Sequence, residues 1–413
     1  MLHFKTLTFF FLLAFPFAAI CNGFYSIEAD TGINTVEISK DFHYKNLPDE
    51  AKESSGLIFW EGLLWTHNDS GGDAAIYGID TVTGTIVRKV FLKGVKNFDW
   101  EDITQDAAYI YIGDFGNNDG ARKTLFVYKI AKGGITNDKD VVFVPAQQIA
   151  FSYADQESFK KNRYAHNFDC EAFFAFEKHL YLFTKNWDDQ KTRLYKLPKR
   201  LGRYYLNPEE SFECGGLITG ADISRSGERV ALIGYVDFVS FMWLFWDFDG
   251  DDFFGGKSMR IDFPEMVFVQ TEAVTFTSEN ELFFSCEESA EAPSLFKTTF
   301  DDLINPVDNT DETDANHLFV PGKIEQISKD ELSVELSITG DADVLIELLN
   351  TRWKVLDEKT LSNSSQESET IMFDIKGFKR GTYFLSFILQ NNSADDAVIG
   401  SREDAIVKKI EIQ

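Results

Sequence analysis

Cysteine is scarce: the 413 residues contain four, at positions 21, 170, 214 and 286, with no CxxC pair. A thiolate zinc centre is therefore excluded, and if Cys21 leaves with a leader peptide the other three form at most one internal disulfide. Methionine is also rare, with five residues against 40 Phe, 14 Tyr and 7 Trp, which favours β-sheet over a helical bundle. Positive charge is in deficit. Forty Lys and Arg face 67 Asp and Glu, a net charge of −27, so the surface repels nucleic-acid phosphate and anionic lipid and attracts cations. Nucleic-acid binding is excluded on that ground. The chain has no GxSxG, HExxH, P-loop or dinucleotide fingerprint. Its one long apolar run, Leu7 to Ile20, is too short to span a bilayer, so no transmembrane segment is expected in the mature chain.

That run follows His3 and Lys5 and leads into Cys21-Asn22-Gly23, which reads as an export signal over residues 1–23. A lipoprotein is the weaker reading, because bulky Ile20 stands where processing before Cys21 prefers a small residue. The expected location is secreted, or on the outer surface of a bacterium. The remaining length accommodates two or three folded units.

A repeat organises most of it. An acidic residue followed by a short apolar stretch recurs at Glu53 (ESSGLIF), Glu101 (DWEDI), Glu171 (DCEAFFAF), Asp222 (GADIS) and Glu272 (TEAVTF), spaced by 48, 70, 51 and 50 residues. The long interval holds a charged insertion around Asp155–Arg163. These are propeller-blade lengths. Within each unit a second strand ends in polar residues (LLWTHND, YIYIGDFGNN, LYLFTKN, VALIGY, LFFSCEE) and a third follows (AIYGID, TLFVYKI, RLYKLP, MWLFWDF, SLFKTTF). Fourth strands are visible as IVRKVFL, QIAFSYA, GRYYLN and KSMRIDF. The fifth unit lacks one, and Thr35–Tyr44 is expected to supply it, closing an otherwise open seam. The expected fold is all-β: a five-bladed β-propeller over 24–300, or a six-bladed one if the insertion hides a blade, then an acidic linker over 301–320 and a small β-sandwich over 321–413.

In a four-stranded meander the start of the first strand and the end of the second share a rim. The intervals Glu53 to Asp69, Glu101 to Asp114, Asp222 to Tyr235 and Glu272 to Glu287 each fit two short strands and a turn. Five carboxylates, Glu53, Glu101, Glu171, Asp222 and Glu272, should then converge near the mouth of a central channel. Converging carboxylates repel unless protonated, hydrogen-bonded or bridged by a cation, and Ca²⁺, with six to eight oxygen ligands, is the natural relief. The plainer alternative is that each acid accepts backbone N–H bonds from the neighbouring blade and locks the units together. Asp99 doubles Glu101 and Asp169 doubles Glu171. The loops His67-Asn68-Asp69-Ser70-Gly71-Gly72 and Gly113-Asp114-Phe115-Gly116-Asn117-Asn118 add Asn68, Asp114, Asn117 and Asn118 as candidate binding groups, although such residues also serve ordinary turns. Asp247–Asp252 resembles a calcium loop, but its glycine comes too early and no Glu closes it, so it reads as a hairpin turn.

The HNDSGG, DWEDI and GDFGNN motifs resemble those of secreted bacterial β-propeller proteins and, more distantly, of SdiA-regulated and esterase-like phytase propellers. The resemblance spans about residues 50 to 300 and implies a propeller with a calcium-binding channel. The tail, with Phe373-Asp374-Ile375, Gly381-Thr382-Tyr383 and Val407-Lys408-Lys409-Ile410, is similar to a type IX secretion sorting domain. Val320-Pro321-Gly322 replaces that family's usual Pro-Asn-Pro start, and its usual hairpin glycine is replaced near Trp353.

Three functions fit these observations. The first is a propeller whose acidic rim binds a divalent cation and a small polar ligand, without defined catalysis. The second is a metal-dependent hydrolase of phosphoesters or lactones with His67, Asp69 or Glu101 as general base. The third is a cell-surface adhesion or scaffold protein. Fold alone separates none of them.

Overall fold

The computed structural model describes residues 35–412 except 39–40, 137–138, 238, 268, 289–291, 307–318, 339–342, 351–353, 363–367 and 391–405. The expected leader, most of the linker and Trp353 lie outside the described residues. Within them the chain is all-β apart from one five-residue helix, α1 (Phe300–Ile304), and two short 3-10 turns.

Two short strands come first, β1 (Thr35–Glu37) and β2 (His43–Asn46). A first sheet follows from β3 (Ser54–Trp60), β4 (Leu63–Asn68), β5 (Ala75–Asp80) and β6 (Ile86–Lys93). The second begins with β7 (Trp100–Gln105), β8 (Tyr109–Asp114) and β9 (Leu125–Ala131). The chain then lays β10 (Val141–Pro145) parallel to β6, and β11 (Gln147–Tyr153) completes the second sheet. In the third, β12 (Cys170–Phe176), β13 (His179–Thr184) and β14 (Thr192–Pro198) precede β15 (Arg203–Leu206), which pairs in parallel with β11, and β16 (Pro208–Phe212) closes the sheet. The fourth is β17 (Leu217–Ile223), β18 (Arg229–Val236), β19 (Val239–Trp246) and β20 (Lys257–Val267). The fifth contains β21 (Thr271–Phe276), β22 (Glu281–Cys286) and β23 (Ser294–Thr299), completed by β2 antiparallel to β23.

Two strand assignments differ from the sequence reading. GRYYLN does not close the third sheet; it edges the second, and Pro208–Phe212 (PEESF) does the closing. PEESF escapes a hydrophobicity search because it is an outer strand, and edge strands carry charges and proline that block further pairing. The segment Thr35–Tyr44 divides: β2 fills the gap in the fifth sheet, whereas β1 pairs in parallel with β20 on the fourth. One manoeuvre therefore occurs three times. Before β11, β16 and β2, the chain adds a parallel strand to the outer edge of the preceding sheet.

The five first strands are neighbours in the order β3, β7, β12, β17, β21, and β21 lies beside β3 again. The apolar packing follows the same circuit. Trp65 shares a buried core with Ile103 and Ile112, Tyr111 with Phe173 and Leu182, Phe174 with Leu232 and Trp243, Ile233 with Val274 and Phe284, and Leu57 with Ala273 and Phe283. Each sheet thus buries both faces against its neighbours. Cys170, Cys214 and Cys286 are buried, each on a different sheet or its connection, and no disulfide joins them, so they contribute to packing rather than to a cross-link between these sheets.

Every first strand also bulges at its second or third residue. The register slips at Ser55, Glu101, Glu171, Thr219 and Glu272, each facing no single partner on the second strand. A bulge re-aims one side chain, and the next residue is a glycine, alanine or, at Asp102, an acid turned to the adjacent sheet. Gly56 and Gly220 need their missing side chains: a Cβ would stand 2.6 Å from the Ile103 nitrogen in one case and 2.7 Å from the Glu272 carbonyl in the other.

Beyond α1, β24 (Phe319–Ser328), β25 (Glu331–Ile338), β26 (Asp343–Asn350), β27 (Val355–Ser362), β28 (Ser368–Asp374), β29 (Gly381–Gln390) and β30 (Ile406–Ile412) form two sheets, ordered β24-β25-β28 and β27-β26-β29-β30. They share one core, with Leu332, Val334, Leu336 and Phe373 from the first and Ile346, Leu348, Leu385 and Phe387 from the second. None of these strands pairs with the five preceding sheets.

Candidate metal centre

Three of the five bulged residues are glutamates. Glu101, Glu171 and Glu272 come from β7, β12 and β21 and are almost fully buried. Their carboxyls interact with one another: Glu101 is pushed well above the usual carboxylate range by burial and then by Glu171, and Glu171 by burial and the neighbouring Asp169 and Glu272. Ser55 and Thr219 fill the other two bulges and bond across to the next first strand, Ser55 Oγ to the Glu101 carbonyl at 2.7 Å and Thr219 Oγ1 to the Thr271 carbonyl at 2.6 Å.

A second layer of charge comes from the residues just after the second strands and just before the first ones. The backbone bonds Asp69 N–H to Glu53 O, Lys185 N–H to Asp169 O and Glu287 N–H to Gln270 O set these positions in one register. Burial, followed by neighbouring acids, raises Asp69 to about 6 and Asp99 to about 7, and lifts Glu287 well above its ordinary value. Glu272 reaches about 7, again chiefly through burial, with Gln270 donating to it at 2.7 Å. Oxygen atoms of Asp69, Asp99 and Glu101 lie within 4.8 Å of one another. Gly116 makes room for them, since a Cβ there would stand 1.8 Å from Glu101 Oε1 and 2.7 Å from Asp99 Oδ2.

Two cations accompany this group, neither singled out by the repeat. Lys185 is buried, with Nζ 3.4 Å from Glu171 Oε2 and lying over the rings of Trp187 and Tyr235 at 5.0 and 5.3 Å. Burial would lower its pKa, but Glu171, Tyr235, Glu272 and Asp169 together hold it well above the ordinary lysine value. The signal is its position 16 residues after Asp169, the interval that also leads from Glu53 to Asp69. Arg122 pairs with Asp114 at 2.6 Å and approaches Asp99 at 3.6 Å.

The remaining candidates take other positions. Asp222 lies further along β17; its carboxylate accepts from the Phe276 N–H at 2.8 Å and from Thr275 Oγ1 at 3.0 Å. Asp102 does the same two interfaces earlier, accepting from Phe173 N–H at 2.9 Å. Glu53 is outside the bulge register by two residues, half-buried beside Asp69 and Glu287. Asn68 and Asn117 use their amides on backbone groups: Asn68 accepts from Glu53 N–H and donates to Glu50 O ahead of β3, and Asn117 accepts from Arg122 N–H in its own loop and donates to Phe168 O ahead of β12. Asp169 accepts from Asn117 N–H at 2.5 Å and Trp187 Nε1 at 2.8 Å. Asn118 offers its carbonyl to His166 Nε2 at 3.1 Å. His67 is fully buried between β4 and Trp100, with Nδ1 on the Asn68 carbonyl, and burial pulls its pKa to about 4. An imidazole so enclosed cannot exchange protons with a bound substrate.

No protein-family model and no curated protein sequence matches the chain. Among solved structures, the chain is similar to an exo-β-1,3-galactanase from Phanerochaete chrysosporium (7% identity, 81% of this chain and 93% of that one, TM-score 0.41). It is also similar to a 6-phosphogluconolactonase-like protein from Bacteroides uniformis (9%, 88% and 89%, 0.31) and to the Kuenenia stuttgartiensis hydrazine synthase (12%, 71% and 77%, 0.31). Likenesses of this degree carry nothing about chemistry.

Proposed function

We propose that the five sheets are the blades of a closed five-bladed propeller, and that its acidic rim binds one hard divalent cation, calcium, between Asp69, Asp99 and Glu101. The observation that carries this reading is the trio of carboxylates from two sheets, with oxygens within 4.8 Å of one another. Two oxygens on one calcium, each at about 2.4 Å, can be at most about 4.8 Å apart, so the spacing suits that ion. Glu101 strengthens the reading: its carboxyl is deeply buried, and among the described residues its side-chain hydrogen-bond partner is another acid, Glu171. Asp69 and Asp99 are only half-buried, which leaves open positions on the solvent side for water or for the oxygens of a small polar ligand.

The test is thermal unfolding with and without calcium. Ligand binding to the folded state stabilises by RT ln(1 + [L]/Kd), about 2.7 kcal/mol at a hundredfold excess over Kd. The expected result is a rise in Tm with calcium that is lost in Glu101→Gln. Equal curves at all calcium concentrations would return the acids to a purely structural role.

A hydrolytic function has one observation in its favour. Asp69 is half-exposed where His67 is fully buried, so with the cation held by Asp99 and Glu101 alone it is the better placed general base of the two. A bound cation would supply polarisation of an ester or phosphoryl oxygen. Turnover of a phosphoester and lactone panel, abolished in Asp69→Asn, is the expected result on this reading; an inactive wild-type protein would contradict it.

A further inference from the structure

We propose that the rim holds two cation positions, and that the chain fills the second with its own Lys185 ammonium. This rests on the calcium reading above and extends it to which part of the ring an ion can enter. The acids divide into two groups. Asp69, Asp99 and Glu101 form one; Glu171, Glu272 and Asp169 surround Lys185 and form the other. The groups meet where Glu101 and Glu171 face each other. Both offer carboxylate oxygen, and what separates them is how a cation meets them: the Lys185 ammonium is seated among the second group, whereas Arg122 pairs with Asp114 and reaches only Asp99 of the first, at 3.6 Å.

Lys185 is built into its position. It is about nineteen-twentieths buried, it faces Glu171 at 3.4 Å, and Trp187 and Tyr235 turn their rings toward its ammonium. The Trp187 wall is itself fixed, because its indole N–H donates to Asp169 at 2.8 Å. A compact ammonium on a flexible stem substitutes for a small hydrated ion as a point charge. Among the described residues no other lysine or arginine pairs with Glu171, Glu272 or Asp169. Removing the ammonium therefore leaves three buried acids that repel one another, the condition that draws an ion to the first group.

Calcium stoichiometry, measured by titration calorimetry on the full chain with calcium chloride alone, tests this. The expected values are one ion for the wild type, two for Lys185→Gln, one for Lys185→Arg, which keeps a cation in place, and one for Lys185→Gln combined with Glu171→Gln, which removes the second ion's ligand. A Lys185→Gln chain that folds only when calcium is supplied would also support the proposal. A Lys185→Gln chain that binds no more calcium than the wild type, or one that calcium fails to restore, would overturn it. The two readings fail separately: no ion in the wild type but one in Lys185→Gln would sink the Asp69–Asp99–Glu101 site and leave the lysine position standing.

Discussion

Glu272 and Glu101 occupy equivalent bulges with different neighbours, and the difference is measurable. Glu272 receives a hydrogen bond from Gln270 and attraction from Lys185, yet burial still holds its pKa near 7. Replacing it by Gln removes a charge that the metal-free protein ionises at a cost only at neutral pH and above. Glu272→Gln should therefore stabilise the calcium-free chain by about 1–3 kcal/mol at pH 8 and hardly at all at pH 5, read by thermal unfolding at the two pH values. Gly116 gives a second residue-scale prediction. A methyl there collides with Glu101 Oε1 and Asp99, so Gly116→Ala should weaken calcium binding at least tenfold by calorimetry while the circular dichroism spectrum stays that of the wild type.

At the scale of the strands, the bulges hold the three buried glutamates apart from the acids that lock neighbouring strands. Glu101, Glu171 and Glu272 stand at bulges, whereas Asp102 and Asp222, one and three positions after a bulged residue, accept N–H bonds from the next first strand. Asp222→Ala leaves the Phe276 N–H without its partner, which costs about 1–3 kcal/mol, and should leave calcium stoichiometry unchanged. Much of this level is legible in the sequence. Repeated acid–apolar starts and polar strand ends mark first and second strands, because buried strands are apolar and their ends must be wet. What the sequence hides is register. Glu53 and Asp222 match the acidic pattern by chemistry, but they stand two residues before and three residues after the bulged positions of their strands, which Ser55 and Thr219 occupy. PEESF and Thr35–Glu37 are hidden for another reason: outer strands need little hydrophobicity, so composition does not flag them. Lys185 is not marked by the acidic repeat, because a pattern of acids carries no sign of the cation they surround.

For the whole molecule, the concentration of acids at one rim reverses the usual dependence of stability on pH. Asp69 at about 6, with Asp99 and Glu272 at about 7, all lie above their unfolded values. Groups shifted upward contribute stability that is complete below the unfolded pKa, near pH 4, and lost as pH rises through 6 to 7. The calcium-free Tm should fall between pH 5 and 8, and the increment produced by calcium should grow over the same interval, because the ion binds the ionised acids. Unfolding scans across that range, with calcium or a chelator, check both slopes. The measurement that bears most directly on the account is a crystal structure grown with calcium. The predicted result is one ion bonded to oxygens of Asp69, Asp99 and Glu101 at about 2.3–2.6 Å, with Lys185 still seated against Glu171. Density for water alone among those three carboxylates, at a calcium concentration well above that of the protein, would contradict it.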